Sequence, residues 1–237
     1  MRLPLFALLT SALATVALPH PALAATVVIW PVDPVIRAGE QTAAMWLENK
    51  GAEPVTLQVR TFAWSQARGE DQLDAQEAVV ASPPIATVAP GARQLVRIIR
   101  RAPEGAPETA YRLLIDELPR PAPRGPDGAV QARLGVQMRY SIPLFTHATA
   151  TPGTPQLDAR IAAGPDGRVL SIRNTGTAHA RLTDLRLVTG TREVTVHAGL
   201  TGYVLPGATV TFALPGGEAG RVKVTVNGTD RLLDERA

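Results

Sequence analysis

From residue 26 onward, the chain is a succession of short segments in which apolar and polar side chains alternate. Val55, Leu57 and Val59 are one such row, and turn sequences such as Asn49-Lys50-Gly51 and Pro90-Gly91 close the segments at short intervals. Alternation with a period of two predicts half-buried β-strands. No segment keeps apolar residues at helical spacing across three turns, so the sequence predicts an all-β protein with almost no helix.

The number of strands and the turn-rich composition predict two modest domains. About seven strands precede residue 146, and six more follow residue 156, whereas residues 66–77 are polar and are predicted to form a loop. Seven short antiparallel strands are typical of an immunoglobulin-like β-sandwich. We therefore predict sandwiches over residues 25–146 and 156–237, with the linker at residues 147–155. The second domain, of about eighty residues, is near the lower limit for independent stability and is expected to pack against the first.

Residues 1–24 are predicted to be a secretory signal peptide. Arg2 precedes the apolar run Leu3 to Leu18, and Ala22-Leu23-Ala24 is a small-x-small cleavage site. The alternative is an N-terminal membrane helix, but the apolar run is short and prolines follow it. No later segment is long enough to span a membrane, so we expect export from the cytoplasm and no integral membrane segment. The chain has no cysteine, so each domain must fold without disulfides.

Charge and motif content argue against nucleic-acid binding and against catalysis. The formal charge is +3, and removal of Arg2 with the leader lowers it by one, which is too balanced for a nucleic-acid binder. No nucleophile elbow or phosphate-binding glycine loop is present. The mature histidines, His147, His179 and His197, are far apart in the sequence and are predicted to be surface residues rather than metal ligands. We expect no enzyme activity, no cofactor and no metal.

One predicted strand, residues 130–145, is much longer than the usual five or six residues. It ends the first domain, because a threonine-, alanine- and proline-rich run follows it. Such a strand can carry apolar side chains beyond its own sheet and into the incomplete core of a partner. Its apolar face consists of Val130, Ala132, Leu134, Val136, Met138, Tyr140 and Ile142.

Several landmarks along the chain resemble the PapD-like periplasmic chaperones of pilus assembly. They are Asn49-x-Gly51-x-x-Pro54, Val59-x-x-Phe62-x-Trp64, Ser82-Pro83-Pro84, the run from Tyr111 to Pro119, Met138-x-Tyr140-Ser141-Ile142-Pro143, Leu170-x-Ile172-x-Asn174 and the run from Gly202 to Gly207. Ile29-Trp30-Pro31 and the run from Tyr140 to Phe145 are most similar to the archaic branch, which serves spore-coat-U-type pili. The resemblance implies two immunoglobulin-like domains in an L-shaped arrangement.

The resemblance also implies a function in the periplasm. Pilus subunits of this family lack their final strand, and the chaperone folds, caps and delivers them by lending its own strand. The implied partners are pilus, fimbrial or spore-coat-U-like subunits and an outer-membrane usher. The residues expected to insert into the subunit are Val130, Ala132, Leu134, Val136 and Met138. Alternatively, these side chains fill only the core of the chaperone itself, and we assign Tyr140 and Ile142 mostly to that core.

A second family feature is a basic pair in the cleft between the domains, which holds the C-terminal carboxylate of the subunit. Better-studied members place one arginine of this pair in the first strand, but residues 26–35 contain none. Arg112, among apolar neighbours in the strand expected beside the long one, is the first candidate, and Arg139 is the second. We expect Arg112 to make no internal salt bridge. It could instead be a surface-facing arginine.

The alternative function is that of a β-sandwich adhesin or carbohydrate-binding module. Sugar sites usually display aromatic side chains, and Trp30, Trp46 and Trp64 are candidates. All three lie in or at the end of predicted first-domain strands, where core packing explains them. The short, proline-containing linker also favours a fixed cleft. The chaperone function is therefore the preferred hypothesis.

Overall fold

The computed structural model describes residues 27–103, 105–119, 137–164, 167–214 and 220–233, which form strands and no helix. The predicted all-β architecture of two immunoglobulin-like sandwiches is confirmed. The signal peptide predicted at residues 1–24 lies outside the described residues. The first ten strands are β1 (Val27–Trp30), β2 (Val35–Ile36), β3 (Thr42–Asn49), β4 (Val55–Ala67), β5 (Glu70–Ala75), β6 (Val79–Ser82), β7 (Ile85–Val88), β8 (Arg93–Arg100), β9 (Glu108–Glu117) and β10 (Arg139–His147).

These ten strands form two sheets. One sheet has the order β1-β3-β8-β6, and the other has the order β2-β10-β9-β4-β5, with β7 also pairing with β4. The predicted alternation holds in β4, where Val55, Leu57 and Val59 are 1%, 1% and 4% exposed and face the core between the sheets. Burying such side chains stabilises the sandwich by about 1.5–3 kcal/mol each.

The second sandwich follows β10 after residues 148–156. Its strands are β11 (Leu157–Gly164), β12 (Gly167–Asn174), β13 (Ala180–Thr189), β14 (Arg192–Val204), β15 (Thr209–Leu214), β16 (Arg221–Val226) and β17 (Thr229–Leu233). Their sheets have the orders β11-β12-β15 and β14-β13-β16-β17. Asn227 and Gly228, both with positive φ, form the tight turn predicted there, and the turn leads into β17, a strand that the sequence did not predict.

The loop predicted over residues 66–77 is wrong, because most of this segment belongs to a hairpin. β4 continues to Ala67 and β5 returns along it, with a turn at Arg68 and Gly69, both of which have positive φ. Every residue of β5 is exposed. The strand therefore buries no apolar face, and the alternation on which the prediction depends is missing.

The two sandwiches share one core at their junction, as expected for a small second domain. Trp64 and Phe145 belong to the first sandwich but pack in the hydrophobic cluster of the second. The Trp64 ring lies 5.7 Å from that of Tyr203, and the Phe145 ring stacks on His179 with centroids 3.5 Å apart. The junction is therefore a packed interface rather than a flexible connection.

Two of the predicted surface histidines lie in this junction instead. The Glu108 carboxylate, whose side chain is 3% exposed, accepts from the backbone N–H of His179 at 2.7 Å and lies 2.9 Å from its Nδ1. His147 Nε2 lies 3.8 Å from the same carboxylate, whereas His197 is exposed as predicted. Among the described residues, no group of three or more metal-binding side chains is placed to hold an ion. His147 ends β10 and His179 precedes β13, and both lie beside the buried carboxylate of Glu108. The prediction failed for these two histidines because the contacts join residues far apart in sequence.

Candidate functional site

A cavity of about 500 Å³ lies between the two sandwiches, beside β10. Polar and apolar side chains line it together, and residues of both domains contribute. The lining includes Asp33, Arg112, Arg139, Arg181, Leu200 and Tyr203. Leu200 and the neighbouring Val32 are 52% and 63% exposed, so the cavity also has an apolar wall open to solvent.

Arg112 is the most enclosed arginine of this group. Its neighbours on β9, Tyr111 and Leu113, are 7% and 0% exposed and face the core of the first sandwich, so the side chain of Arg112 points to the opposite face. There, the guanidinium carbon lies 3.6 Å from the ring centroid of Trp64 and 5.6 Å from that of Tyr203. Burial lowers the pKa of Arg112, and nearby Asp71 partly opposes the shift. Arg112 is therefore a partly dehydrated cation held against aromatic rings.

The expectation that Arg112 makes no internal salt bridge is wrong. Its Nη2 lies 3.2 Å from Asp71 Oδ2. Gln66 donates to Asp71 Oδ1 at 3.0 Å and to the carbonyl of Tyr203 at 2.9 Å, and it accepts from the N–H of Leu205 at 2.9 Å. This ion pair was not predictable from the sequence, because Asp71 lies on β5, the strand that was predicted to be a loop. The β4–β5 hairpin thus connects Arg112 to the second sandwich.

Arg181, on β13 of the second sandwich, is the site residue that sequence reasoning missed. It lines the cavity together with Tyr203, and its charge, like those of Asp33 and Arg112, acts on the hydroxyl of Tyr203. Burial raises the pKa of Tyr203, and the two arginines oppose the shift. The available signal was alternation, because Ala180 and Leu182 are fully buried and leave Arg181 on the outer face.

Arg139, the second predicted anchor, is bound to a different partner. It lines the same cavity, but its side chain is 62% exposed and its Nε donates to Asp116, the residue opposite it on β9. Arg60 also binds Asp116, at 2.7 Å. Burial would raise the pKa of Asp116, but hydrogen bonds and charges from Arg139 and Arg60 outweigh it and lower the pKa. Arg139 therefore shares a carboxylate with a second arginine within the first sandwich.

Most of the predicted donor row lies outside the described residues. This applies to Val130, Ala132, Leu134 and Val136. Met138 is described, is 44% exposed and accepts a hydrogen bond through its carbonyl from the N–H of Glu117, which continues the pairing of β9 with β10.

β10 itself begins at Arg139 and has a partly open edge. β9 pairs with all nine of its residues, whereas β2 pairs only with Phe145 and Thr146. Among the described strands, none pairs with the stretch Arg139 to Leu144 on that side. Beyond Ser141, five consecutive residues are buried, because the first core covers one face of β10 and the second sandwich covers Phe145 on the other.

A family model for pili and flagellar-assembly chaperones, the PapD N-terminal domain, matches residues 26–151. This match covers more than half of the chain. The chain belongs to the PapD-like pilus-assembly chaperones. Membership of this family supports the role of a pilus-assembly chaperone over the alternative, an adhesin or carbohydrate-binding module. No curated protein matched the chain at a significant level.

Solved structures of chaperones share the whole fold of this family member. The CsuC–CsuE chaperone–tip adhesion subunit complex of archaic Csu pili from Acinetobacter baumannii matches with 29% identity and a TM-score of 0.68, covering 88% of this chain and 97% of that one. The Escherichia coli chaperone DraB matches with 16% identity and a TM-score of 0.64, covering 90% and 98%. The Salmonella enterica SafA–SafB pilin–chaperone complex matches with 17% identity and a TM-score of 0.60, covering 88% and 96%. The last two, at this identity, show the fold alone.

The part of the chain that the structure describes contains no helix with the length and apolar character needed to cross a membrane.

Proposed function

We propose that this protein is a periplasmic chaperone that folds, caps and delivers pilus subunits by donor-strand complementation. The observation that carries the proposal is the open edge of β10. Among the residues that the structure describes, only β9 pairs with this strand from Arg139 to Leu144, and in the sequence the apolar row of residues 130–138 leads directly into it. An unpaired strand edge offers main-chain hydrogen bonds to a partner strand, and alternating side chains give the contact its specificity.

The donor residues are Val130, Ala132, Leu134, Val136 and Met138. Inserting the larger of these side chains into a subunit core would contribute about 1.5–3 kcal/mol each, so a few of them suffice to hold a subunit. Met138, directly before β10, is 44% exposed and is therefore accessible to a partner. The partner is a pilus or spore-coat-U-like subunit, and an outer-membrane usher receives the complex. The similarity to a chaperone of archaic pili supports this class of partner.

The proposed anchor for the C-terminal carboxylate of the subunit is Arg112, with Arg181 as a second cation and Arg139 in a minor role. Arg112 and Arg181 enter the cavity from different sandwiches, and both lie near the hydroxyl of Tyr203. A carboxylate exchanges water for donors when it enters such a cleft, and a guanidinium presents two of them in parallel. The aromatic contacts of Arg112 hold its guanidinium in place before a subunit arrives.

Co-purification from the periplasm with a co-expressed fimbrial-type subunit tests the proposal. Replacing both Leu134 and Val136 with Asn should leave the chaperone folded and abolish recovery of the subunit. The matched control replaces Gln131 and Arg133, on the opposite face, with Asn and should recover the subunit as the wild type does. Loss of the chaperone's own thermal transition in the first variant would instead place those side chains in its core and contradict the donor assignment.

A further inference from the structure

Asp71 is the resident partner of the proposed anchor arginine. It lies on β5, the edge strand of its sheet, and its side chain is 45% exposed, whereas that of Arg112 is 13% exposed. The ion pair, 3.2 Å between Nη2 and Oδ2, therefore joins an enclosed cation to an anion that solvent reaches. All side chains of β5 are exposed, so no apolar packing holds Asp71 in this position.

Arg112 needs a counter-charge when no subunit is present, because a dehydrated guanidinium without one destabilises the fold. Asp71 supplies one, and Gln66 holds its other carboxylate oxygen at 3.0 Å. A second carboxylate entering from the cavity meets a cation that is already paired. Two carboxylates near one guanidinium also repel each other.

We propose that Asp71 is a displaceable counter-ion, which occupies Arg112 in the free protein and competes with the carboxylate of an incoming subunit. This inference rests on the proposed function of Arg112 as the anchor. Because Asp71 is tethered by the β4–β5 hairpin, it competes at a high effective concentration against any free carboxylate in solution. A subunit that also forms the contacts of the donor strand overcomes this competition. Asp71 thereby makes the site selective for a carboxylate that arrives as part of a subunit.

Titration of the full mature chain with small carboxylates tests the competition directly. The probe is N-acetylalanine, its neutral control is N-acetylalaninamide, and the ionic strength is held constant. The indole N–H resonance of Trp64, beneath the guanidinium of Arg112, reports binding by NMR. Asp71→Asn should bind N-acetylalanine about threefold to tenfold more tightly than the wild type, because it removes the charge of the competing carboxylate. Binding of the amide should not change.

Matched variants separate competition from a general effect of charge. Asp74→Asn removes the same charge from the same exposed strand, and Asp71→Glu retains the carboxylate, so both should bind N-acetylalanine as the wild type does. Equal affinity of Asp71→Asn and Asp74→Asn, or weaker binding by Asp71→Asn, would overturn the inference while the anchor stands. If Arg112→Ala responds as the wild type does, or if no variant responds up to the solubility limit of the probe, the anchor proposal itself is overturned.

Discussion

At the scale of single residues, the proposed capture of a subunit depends on Arg112. Its guanidinium lies against the rings of Trp64 and Tyr203 and pairs with Asp71. Arg181 reaches the same cavity from the second sandwich. The aromatic contacts hold the Arg112 guanidinium in position before a carboxylate arrives.

Arg112→Ala should abolish subunit capture and lower the stability of the chaperone by about 1 kcal/mol, since it removes a cation–π contact and an ion pair that is partly exposed. Arg112→Lys should restore capture only in part, because an ammonium keeps the charge but lacks the planar fork of donors. Subunit recovery and thermal unfolding, measured on the same preparations, provide the two readouts.

The matched control for this prediction is Arg139→Ala. Asp116 keeps Arg60 as its partner in this variant, so the fold should be retained and the defect in capture should be milder. Full capture by Arg112→Ala would show that the anchor is assigned to the wrong residue.

At the scale of elements, both sandwiches use the same asparagine turn. The side-chain amides of Asn49 and Asn174, both fully buried, donate to two backbone carbonyls each, at 2.7 and 2.9 Å in both cases. The Oδ1 atoms accept from Gly51 and Gly176, two residues further on in each case. The sequence predicts a turn at both asparagines, each followed by a strand. Buried asparagines are tolerated here because every polar group has a partner.

Strands that bury an apolar face were predictable in this chain, and strands without one were not. β4 alternates as expected from Val55 to Val59 and β9 buries Leu113 to Ile115, whereas β5 is exposed throughout and β17 is exposed up to Leu233. These two strands form because each pairs with a neighbouring strand. Alternation of apolar and polar residues in the sequence does not indicate such pairing. Arg112 was predictable as a site residue from its apolar neighbours, whereas its partner Asp71 was not, because Asp71 lies on β5.

The β4–β5 hairpin should contribute to stability through Gln66. Gln66→Ala removes the acceptor of the N–H of Leu205, a residue that is 5% exposed, and leaves that donor unpaired. We expect a loss of about 1–3 kcal/mol in the free energy of unfolding, measured by chemical denaturation. Gln72→Ala, on the exposed strand β5, is the control and should change stability by less than about 0.5 kcal/mol. Equal effects of the two variants would contradict a bridging role of Gln66.

At the scale of the whole molecule, packing at the junction joins the two sandwiches. His179 belongs to the second sandwich, but it stacks on Phe145 and binds Glu108, both from the first. His179→Ala removes both contacts and leaves a buried carboxylate with fewer partners. Calorimetry should therefore show a lower unfolding temperature and weaker coupling between the two domains. His197→Ala, at an exposed position, should unfold as the wild type does. An unchanged transition in His179→Ala would mean that the junction does not depend on this contact.

Residues 130–138 are proposed to complete the fold of a pilus subunit. Amide hydrogen exchange, measured on the free chaperone and on the complex co-purified with its subunit, tests whether this segment becomes a paired strand. Donor-strand pairing predicts that exchange across residues 130–138 slows by at least about tenfold in the complex, because backbone N–H groups of the segment become hydrogen-bonded to the subunit. The exposed strand β14 (Arg192–Val204) should exchange at the same rate in both samples from Arg192 to His197, which lie outside the cavity. Unchanged exchange across residues 130–138 in a stable complex would rule out donor-strand pairing by this segment.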